Sequence, residues 1–306
     1  MTPMILRTAT KAIARQIPAI ADIISQRNGL LRENERLRVE LRQAGNGRGT
    51  QIPAIDAVAE RLRDYAQATI MTDIYEHDAM FAGGTMEQYL SVGRSAVHVI
   101  ARAMIAAERA SFGMVLDLPS GAGRVTRHLT AFLPDARLFA ADLDHGSRDF
   151  ACRTCGADPF ETPIDFVEYP TCQFDLIFVG SLLTHFNAAM ATRAVRWLIA
   201  ALAGDGVLIL TTCGRRHDYI EREVHHFIEP AAWERVASER SATGFGYVET
   251  EQRGGMSYGL SSSAPSWLMR LIENDPAVSI IGFQEAAWGG LQDVLVLQKK
   301  CVTGYF

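Results

Sequence analysis

The stretch Met114-Val-Leu-Asp-Leu-Pro-Ser-Gly-Ala-Gly-Arg-Val-Thr-Arg-His-Leu129 decides the fold that the sequence predicts. Its first five residues are mostly apolar and predict a short buried strand that carries Asp117. Residues 119–123 predict a tight turn, and the apolar spacing over 124–132 predicts a helix. A strand, a glycine turn and a helix in this order are typical of the ligand-binding corner of an open α/β sheet.

The residues of the turn restrict the kind of ligand. Gly121 and Gly123 would let a ligand approach the backbone where a Cβ atom would obstruct it. The start of the helix would offer free N–H groups to a carboxylate or a phosphate. The dinucleotide pattern G-x-G-x-x-G fails, because Thr126 stands at its third glycine position. Asp117 precedes the glycines instead, and an acid there suits an ammonium group better than a pyrophosphate.

The pattern Asp117-x-Pro119-x-Gly121-x-Gly123 resembles motif I of the class I S-adenosylmethionine-dependent methyltransferases, D/E-x-G-x-G-x-G. Pro119 replaces the first glycine of that motif. The longer run D-L-P-S-G-A-G-R-V resembles methyltransferases that accompany glycosyltransferases in bacterial polysaccharide clusters, although Ser120 stands where these commonly have cysteine. The resemblance covers residues 70–299 and implies S-adenosyl-L-methionine as the cofactor.

The same resemblance extends into the residues before the motif. These polysaccharide-linked enzymes have a Tyr-x-x-x-Gly segment there, and Tyr89 and Gly93 match it. The resemblance implies that Tyr89 covers the cofactor; a packed aromatic residue on a helix is the alternative. It also places Pro119 and Ser120 in the cofactor-binding turn.

The second predicted strand, 137–142, ends in an acid. A carboxylate at the carboxyl end of a strand can accept both hydroxyls of a ribose, so Asp142 is predicted to bind the cofactor, with Leu143 beside it. An NAD site would use the same acid, and Asp142 alone does not distinguish the two cofactors. Asp144 could share the task, and the alternative for Asp142 is an ordinary helix cap.

The fourth strand leads to the candidate catalytic residues. The apolar run 174–180 predicts a doubly covered parallel strand. The segment Ser181-Leu-Leu-Thr-His185 after it resembles the S-x-L-T-H segment of the same methyltransferases and places Ser181 at the cofactor. His185 is a candidate general base, or else packs beneath the cofactor or binds a loop. His217, after strand five, is a second catalytic candidate.

The remaining chain predicts an α/β fold, a Rossmann-like seven-stranded methyltransferase sheet with strand seven antiparallel. About nine residues separate the last two strands, too few for a helical crossover, so the final strand must be reversed. This reversal argues against an NAD(P) Rossmann domain, and the ending W-x-x-x-Q-D-V also resembles the polysaccharide-linked enzymes. The predicted elements are strand three within 159–167, helix 188–203, strand five at 207–212, helix 264–273, strand six at 278–283 and strand seven at 288–297.

The predicted domains are an N-terminal segment, 1–50, a helical lead-in, 51–110, and a methyltransferase domain, 111–300, with an acceptor-binding insert, 213–263. Residues 12–44 show a heptad trace, and the glycine-rich end of the first segment predicts a linker. Two interpretations of the heptads stay open: a homodimer through a two-stranded coiled coil, or an amphipathic helix packed on its own domain.

Composition excludes several classes of protein. A net charge of −5 does not indicate a nucleic-acid binder, and no apolar run approaches a membrane span of about 20 residues. We expect a cytoplasmic protein. Five cysteines, an odd number, argue against a disulfide framework, and Cys152 and Cys155 fall within a predicted helix. His225 and His226 have no partner acid at metal-ligand spacing, so no metal site is predicted.

These patterns predict methyl transfer from S-adenosylmethionine to a small-molecule or glycan acceptor, with an oxygen of a sugar or glycan end as the expected acceptor atom. The sugar assignment depends on the resemblance alone. Two alternatives stay open. One is a nicotinamide-dependent oxidoreductase, which Thr126 and the reversed last strand disfavour. The other is a catalytically silent scaffold with the same fold.

Overall fold

A computed structural model of the chain describes residues 53–81, 84–170, 172–253 and 255–300. The predicted coiled coil and linker lie outside these residues. The helices are α1 (Pro53–Gln67), α2 (Met86–Ala106), α3 (Thr126–Phe132), α4 (His145–Cys155), α5 (Ala188–Ala200), α6 (Arg215–Glu223), α7 (Pro230–Thr243) and α8 (Pro265–Ile272). The strands are β1 (Met114–Leu118), β2 (Arg137–Ala140), β3 (Asp158–Pro159), β4 (Phe174–Val179), β5 (Leu202–Thr212), β6 (Phe245–Arg253), β7 (Met256–Ser263), β8 (Val278–Trp288) and β9 (Gln292–Lys299).

The main sheet of the described residues has seven strands in the order β3-β2-β1-β4-β5-β9-β8. Strands β1 to β5 pair in parallel, whereas β9 is antiparallel to both β5 and β8. The predicted α/β sheet with a reversed last strand is therefore confirmed. Because the parallel strands end at one edge, that edge collects the loops after β1, β2, β4 and β5.

Alternate residues of the central strands enter two separate hydrophobic cores. In β5, Val207 and Ile209 face the core shared with α2 and α3. Leu208 and Leu210 face the core shared with α5 and α8. A strand covered on both faces favours apolar residues at successive positions, which explains the apolar runs 176–179 in β4 and 207–210 in β5.

The segment between β5 and α8 folds as two helices, α6 and α7, followed by the β6–β7 hairpin, which forms a sheet of its own. A small apolar core that includes Cys213, Trp233 and Leu260 holds it together. The hairpin is attached to the end of β5, because the N–H of Ser263 donates to the carbonyl of Cys213 at 2.9 Å.

Some boundaries differ from the predicted ones. Strand β3 has only two residues, and α5 ends at Ala200, since Leu202 already pairs with Phe174 of β4. Trp288 ends β8 and does not begin the last strand, because the register of β8 shifts between Gln284 and Trp288. Across the described residues, no helix has the length and hydrophobicity needed to cross a bilayer.

Candidate functional site

The glycine turn lies between the ends of β1 and β2. The N–H of Ser120 donates to the carbonyl of Ala141 at 2.9 Å, and the N–H of Gly121 donates to Oδ2 of Asp142 at 2.8 Å. Ser120 is buried, with its hydroxyl 3.2 Å from the carbonyl of Gly121. The turn is thus tied to the strand that carries the second predicted acid.

The two glycines of the turn serve different purposes. Gly121 has a φ of +50°, and a Cβ atom built on it would meet nothing within 4 Å, so its surface is open to a ligand. Gly123 has a φ of +84°, and a Cβ atom there would lie 3.1 Å from Sγ of Cys155 and 3.2 Å from Cβ of Ala151. Left-handed backbone favours glycine at both positions. The first glycine leaves room for a ligand, and the second lets α4 pack against the turn.

Asp117 lies beneath the turn at the end of β1. Its side chain is only 2% exposed, and Thr126 donates its hydroxyl to Oδ2 at 2.7 Å. Burial raises the pKa of Asp117 to about 7, although the hydrogen bond from Thr126 and the positive charge of Arg124 oppose the increase. The carboxyl group would gain from a nearby cation, because a positive charge favours its ionised form.

Asp142 is half-buried at the end of β2, and each of its oxygens accepts one backbone N–H. Oδ2 binds Gly121, and Oδ1 binds the N–H of Asp144 at 2.8 Å. A carboxylate has about four acceptor positions, so two stay available for hydroxyl groups. Leu143 is 51% exposed beside it and presents an apolar surface. The helix cap is Asp144, which accepts the N–H groups of Gly146 and Ser147, so Asp142 is not the cap of α4.

Tyr89 lies at the same corner, on α2. It is buried, and its hydroxyl donates to Oδ2 of Asp78 at 2.6 Å. Burial and this hydrogen bond raise its pKa. The guanidinium of Arg127 lies over its ring, 5.1 Å from the centroid. The hydroxyl is therefore committed to Asp78, and any contact of Tyr89 with a ligand would be made by the ring.

Ser181 follows β4 and belongs to a hydrogen-bonded network. Its backbone has a φ of +63°, a left-handed conformation that is uncommon for serine. Its N–H donates to Oγ1 of Thr211 at 2.8 Å, and its hydroxyl accepts from Nε2 of Gln292 at 2.7 Å. Thr211 in turn donates to Oε1 of Gln292 at 2.6 Å. Strands β5 and β9 thus fix the loop that leads to His185.

The imidazole of His185 is held on two sides by the β6–β7 hairpin. Its Nδ1 lies 2.9 Å from the carbonyl oxygen of Gly259, which can only accept a hydrogen bond, so Nδ1 carries the proton. The ring stacks on Tyr258, with centroids 4.3 Å apart and 13° between the planes. Burial lowers the pKa of His185, so the neutral ring has a lone pair on Nε2, which bonds to none of the described residues.

His217, the other catalytic candidate, lies on α6 within the insert. It is 4% exposed, and its ring lies 5.4 Å from that of Phe227 and 5.3 Å from that of Trp233. Its Nδ1 has no hydrogen-bond partner among the described residues. Burial lowers its pKa. The structure therefore places His217 in an aromatic core of the insert, apart from the glycine turn.

Two hairpin residues that the sequence analysis did not assign reach the site. Arg253 lies over the ring of Tyr258, with its Cζ 4.0 Å from the centroid. Burial raises the pKa of Asp142, and Arg253 is among the groups that oppose this increase. The stack of Arg253, Tyr258 and His185 is therefore within electrostatic reach of the acid at the end of β2. No sequence motif marked these residues, because an irregular insert brings them there.

The residues of the W-x-x-x-Q-D-V motif lie where β8 ends and β9 begins. Trp288 packs against Gly180, where a Cβ atom would lie 2.9 Å from the indole. Gln292 joins the network of Ser181, as described above. Asp293 accepts the N–H of Ala286 at 2.9 Å. A Cβ atom built on Gly214 would lie only 1.9 Å from Oδ2 of Asp293, so the carboxylate packs directly against that glycine. These residues therefore support the loops after β4 and β5.

No protein-family model and no curated protein sequence matches the chain. Solved structures that it resembles include the PH0226 protein from Pyrococcus horikoshii OT3, with a TM-score of 0.51 at 13% identity over 73% of this chain and 95% of that one. A SAM-bound amino pentose methyltransferase, CalS10 from Micromonospora echinaspora, matches with a TM-score of 0.48 at 14% identity, over 76% and 99% of the two chains.

An O-methyltransferase family protein from Burkholderia thailandensis matches with a TM-score of 0.44 at 15% identity, over 82% of this chain and 72% of that one. At such identities the likeness concerns the fold alone. The strand order and the reversed β9 agree with it: the chain has a Rossmann-like methyltransferase fold.

Proposed function

We propose that the protein transfers a methyl group from S-adenosyl-L-methionine to a hydroxyl of a sugar or glycan end. The observation that carries the proposal is the hydrogen bond between Asp142 and Gly121. The carboxylate of Asp142 accepts the N–H of Gly121 in the turn and keeps two acceptor positions for a ligand. No atom lies within 4 Å of a Cβ built on Gly121, so a ligand has room beside it. Two neighbouring ribose hydroxyls fit that pair of positions.

The second acid supports the same ligand. Asp117 is a buried carboxyl group with a raised pKa, which a cation in the corner would stabilise in its ionised form. The amino-acid end of S-adenosylmethionine has such a cation, its ammonium group. Leu143 offers an exposed apolar surface beside the ribose acid for the adenine. The residues present therefore fit the cofactor, which would supply an electrophilic methyl group on a sulfonium.

The chain would contribute orientation and a proton acceptor. Holding an acceptor atom in line with the methyl group converts an encounter into a reaction within one complex. A sugar hydroxyl reacts better when a base removes its proton. His185 has the required state, because its Nδ1 donates to Gly259 and its neutral Nε2 has no hydrogen-bond partner among the described residues. His185 is accordingly assigned as the base.

The insert, residues 213–263, is assigned to acceptor binding. Its hairpin supplies the stack of Tyr258 and Arg253 that holds His185, so an acceptor bound along the hairpin would lie beside the base. The buried position of His217 favours a role in the packing of this insert. The choice of a sugar or glycan end follows the motif resemblance, and the amino pentose named for CalS10 is of the same chemical class.

The first test is a thermal-shift series with S-adenosylmethionine, S-adenosylhomocysteine, NADH and NADPH. The proposal requires stabilisation by the two adenosyl amino acids. Stabilisation by a nicotinamide cofactor alone would refute it, and no shift with any of the four would favour a silent scaffold.

The second test identifies the acceptor. The protein is incubated with methyl-labelled S-adenosylmethionine and a panel of glycans, and mass spectrometry follows the gain of one labelled methyl. Methylated glycan that disappears with His185→Ala supports the assigned base. Methylation of a nitrogen-bearing acceptor alone would overturn the assignment to oxygen.

A further inference from the structure

The hydroxyl of Ser181 accepts a hydrogen bond from the protein, but its own hydrogen is given to no protein atom that the structure describes. Its oxygen accepts from Nε2 of Gln292 at 2.7 Å. None of the described residues accepts the hydrogen of this hydroxyl. Two threonine hydroxyls bonded to the same network differ in this respect. Thr211 donates to Oε1 of Gln292 at 2.6 Å, and Thr184 donates to the carbonyl of Ser181 at 2.5 Å.

The order of these bonds determines which atoms donate. The N–H of Ser181 donates to Oγ1 of Thr211, which leaves the hydroxyl of Thr211 to donate to Oε1 of Gln292. The amide of Gln292 then presents an N–H to Oγ of Ser181. Thr211 and Gln292 are buried, whereas Ser181 is half-buried after the end of β4. Because hydrogen bonds in such a chain polarise one another, Ser181 is prepared to donate to a group beside the loop.

The backbone of Ser181 also indicates a role for its side chain. Its φ of +63° lies in the left-handed region, which glycine adopts freely and other residues adopt at a cost. The network described above holds a serine in this conformation instead. Strained residues of this kind cluster at active sites and ligand-binding loops.

The same loop carries the assigned base. The turn from Ser181 to His185 is closed by the N–H of His185, which donates to the carbonyl of Leu182 at 3.1 Å. In the proposed function Nε2 of His185 takes the proton of the hydroxyl that is methylated. The loop thus presents one group that accepts a proton and one that donates a hydrogen bond. A sugar with oxygens on neighbouring carbons offers the complementary pair, whereas the positive sulfonium of the cofactor is a poor hydrogen-bond acceptor.

We propose that Ser181 determines acceptor specificity, its hydroxyl donating to the acceptor oxygen next to the hydroxyl that is methylated. The inference deepens the proposed function and rests on it. It favours acceptors with two neighbouring oxygens, such as a vicinal diol of a sugar, over acceptors with an isolated hydroxyl. In this role Ser181 forms no covalent bond and positions the acceptor for His185. The carboxylate of the cofactor could accept the same hydrogen bond, and the experiment separates the two sources.

The test compares kcat/KM for a sugar and for its monodeoxy derivatives. The wild-type protein is assayed with the methyl glycosides of glucose, galactose, mannose and rhamnose, and NMR locates the new methyl group. The oxygen on each carbon next to that position is then replaced by hydrogen. One of these deoxy sugars should lose roughly three- to tenfold in kcat/KM, the size of a neutral hydrogen bond. Ser181→Ala should lose a similar factor with the parent sugar and nothing further with that deoxy sugar.

An equal loss in Ser181→Ala for the parent sugar and every deoxy sugar would overturn the proposal, since a structural role affects all acceptors alike. Calorimetry with S-adenosylhomocysteine tests the other source. Its affinity should stay within about twofold in the variant. Weaker binding with unchanged discrimination among the sugars would assign the hydroxyl to the cofactor and overturn the inference. A wild-type protein that methylates none of the sugars would instead count against the proposed function itself.

Ser181→Gly provides a second variant should Ser181→Ala fail to fold. Glycine adopts the left-handed backbone readily and also lacks the hydroxyl, so the same loss of discrimination is expected. Thr184→Val is the matched control, because it removes the bond to the carbonyl of Ser181 and keeps the serine hydroxyl. It should lower kcat/KM for the parent and deoxy sugars by the same factor. Discrimination that persists in Ser181→Gly, or disappears in Thr184→Val, would contradict the assigned donor.

Discussion

The imidazole of His185 lies parallel to the ring of Tyr258, with 4.3 Å between the centroids. The two residues come from the loop after β4 and from the hairpin of the insert, so the stack joins the main sheet to the insert. The stack and the bond to Gly259 together bury the imidazole and set its tautomer. A base candidate is thereby kept neutral and oriented.

The first prediction concerns this stack. Tyr258→Ala should raise the pKa of His185, because burial is the main cause of its decrease and the variant admits water. An NMR titration of the imidazole C–H signals measures the shift. Tyr258→Phe keeps the ring and should leave the pKa in place. An unchanged pKa in Tyr258→Ala would show that the stack does not shield the imidazole.

The same group predicts a pH dependence of activity. A base acts in its unprotonated form, so activity should fall as the pH decreases through the pKa of His185. Because that pKa is lowered, the decline should occur below 6.5, the ordinary value for histidine. In Tyr258→Ala the decline should move to higher pH. A pH profile of kcat/KM measures both, and a profile identical in the two proteins would contradict the assignment of the base.

The second prediction concerns Asp117, whose pKa is raised from 3.8 to about 7. Between pH 4 and pH 7, Asp117 is protonated in the folded protein and ionised in the unfolded chain. The free energy of unfolding should therefore fall as the pH rises from 4 to 7, by at most about 1.4 kcal/mol per unit, and then level off. Asp117→Asn should remove this part of the pH dependence, which denaturation at several pH values would measure.

A ligand cation should reverse the shift. If the ammonium of S-adenosylhomocysteine binds beside Asp117, the carboxyl group ionises, and binding near pH 6 should release a proton. Calorimetry in buffers of different ionisation enthalpy counts the protons. Asp117→Asn should release fewer, whereas equal proton release in both proteins would place the ammonium elsewhere.

The third prediction compares two neighbouring acids. Asp142→Ala should abolish cofactor binding while the fold stays intact, because it removes the free acceptor positions and the bond to Gly121. Asp144→Ala should cost about 1 kcal/mol of stability through loss of the helix cap, with cofactor affinity preserved. Calorimetry with S-adenosylhomocysteine and thermal unfolding provide the two measurements. Unchanged affinity in Asp142→Ala would refute its role at the ribose.

The fourth prediction concerns Gln292. Gln292→Leu removes the N–H that donates to the hydroxyl of Ser181 and the carbonyl oxygen that accepts the hydroxyl of Thr211. The substitution should destabilise the protein by about 1–3 kcal/mol. Urea denaturation measures this. Gln252→Leu, on the exposed part of β6, should stay within about 0.5 kcal/mol of the wild type. Equal effects of the two substitutions would mean that the network around Ser181 contributes nothing to stability.

The sequence predicted the sheet because its strands are marked locally. Strands β1 and β4 are apolar except for one aspartate each, and the short connection before β9 leaves only a reversed strand. Strand β3 was poorly marked because it pairs through two residues alone. The end of β8 was misplaced, since Ala286 has a φ of +52° in an irregular stretch that no periodicity reveals.

The site was predictable where one motif contains its residues. The glycine turn and its two acids are close in sequence or lie at the ends of successive strands. The stack on His185 was not predictable, because it depends on how a hairpin far along the chain folds back.

The direction of β9 has a consequence for how the protein becomes competent during synthesis. Because this strand is reversed, its first residues, and not its last, reach the edge of the sheet where the glycine turn lies. Gln292 there supports the loop of Ser181, and Asp293 lies against Gly214. A nascent chain that has not yet released this strand from the ribosome can form the turn but lacks the support for two neighbouring loops. In the order of synthesis, the support for these two loops is therefore completed later than the glycine turn, once the β8–β9 hairpin has been made.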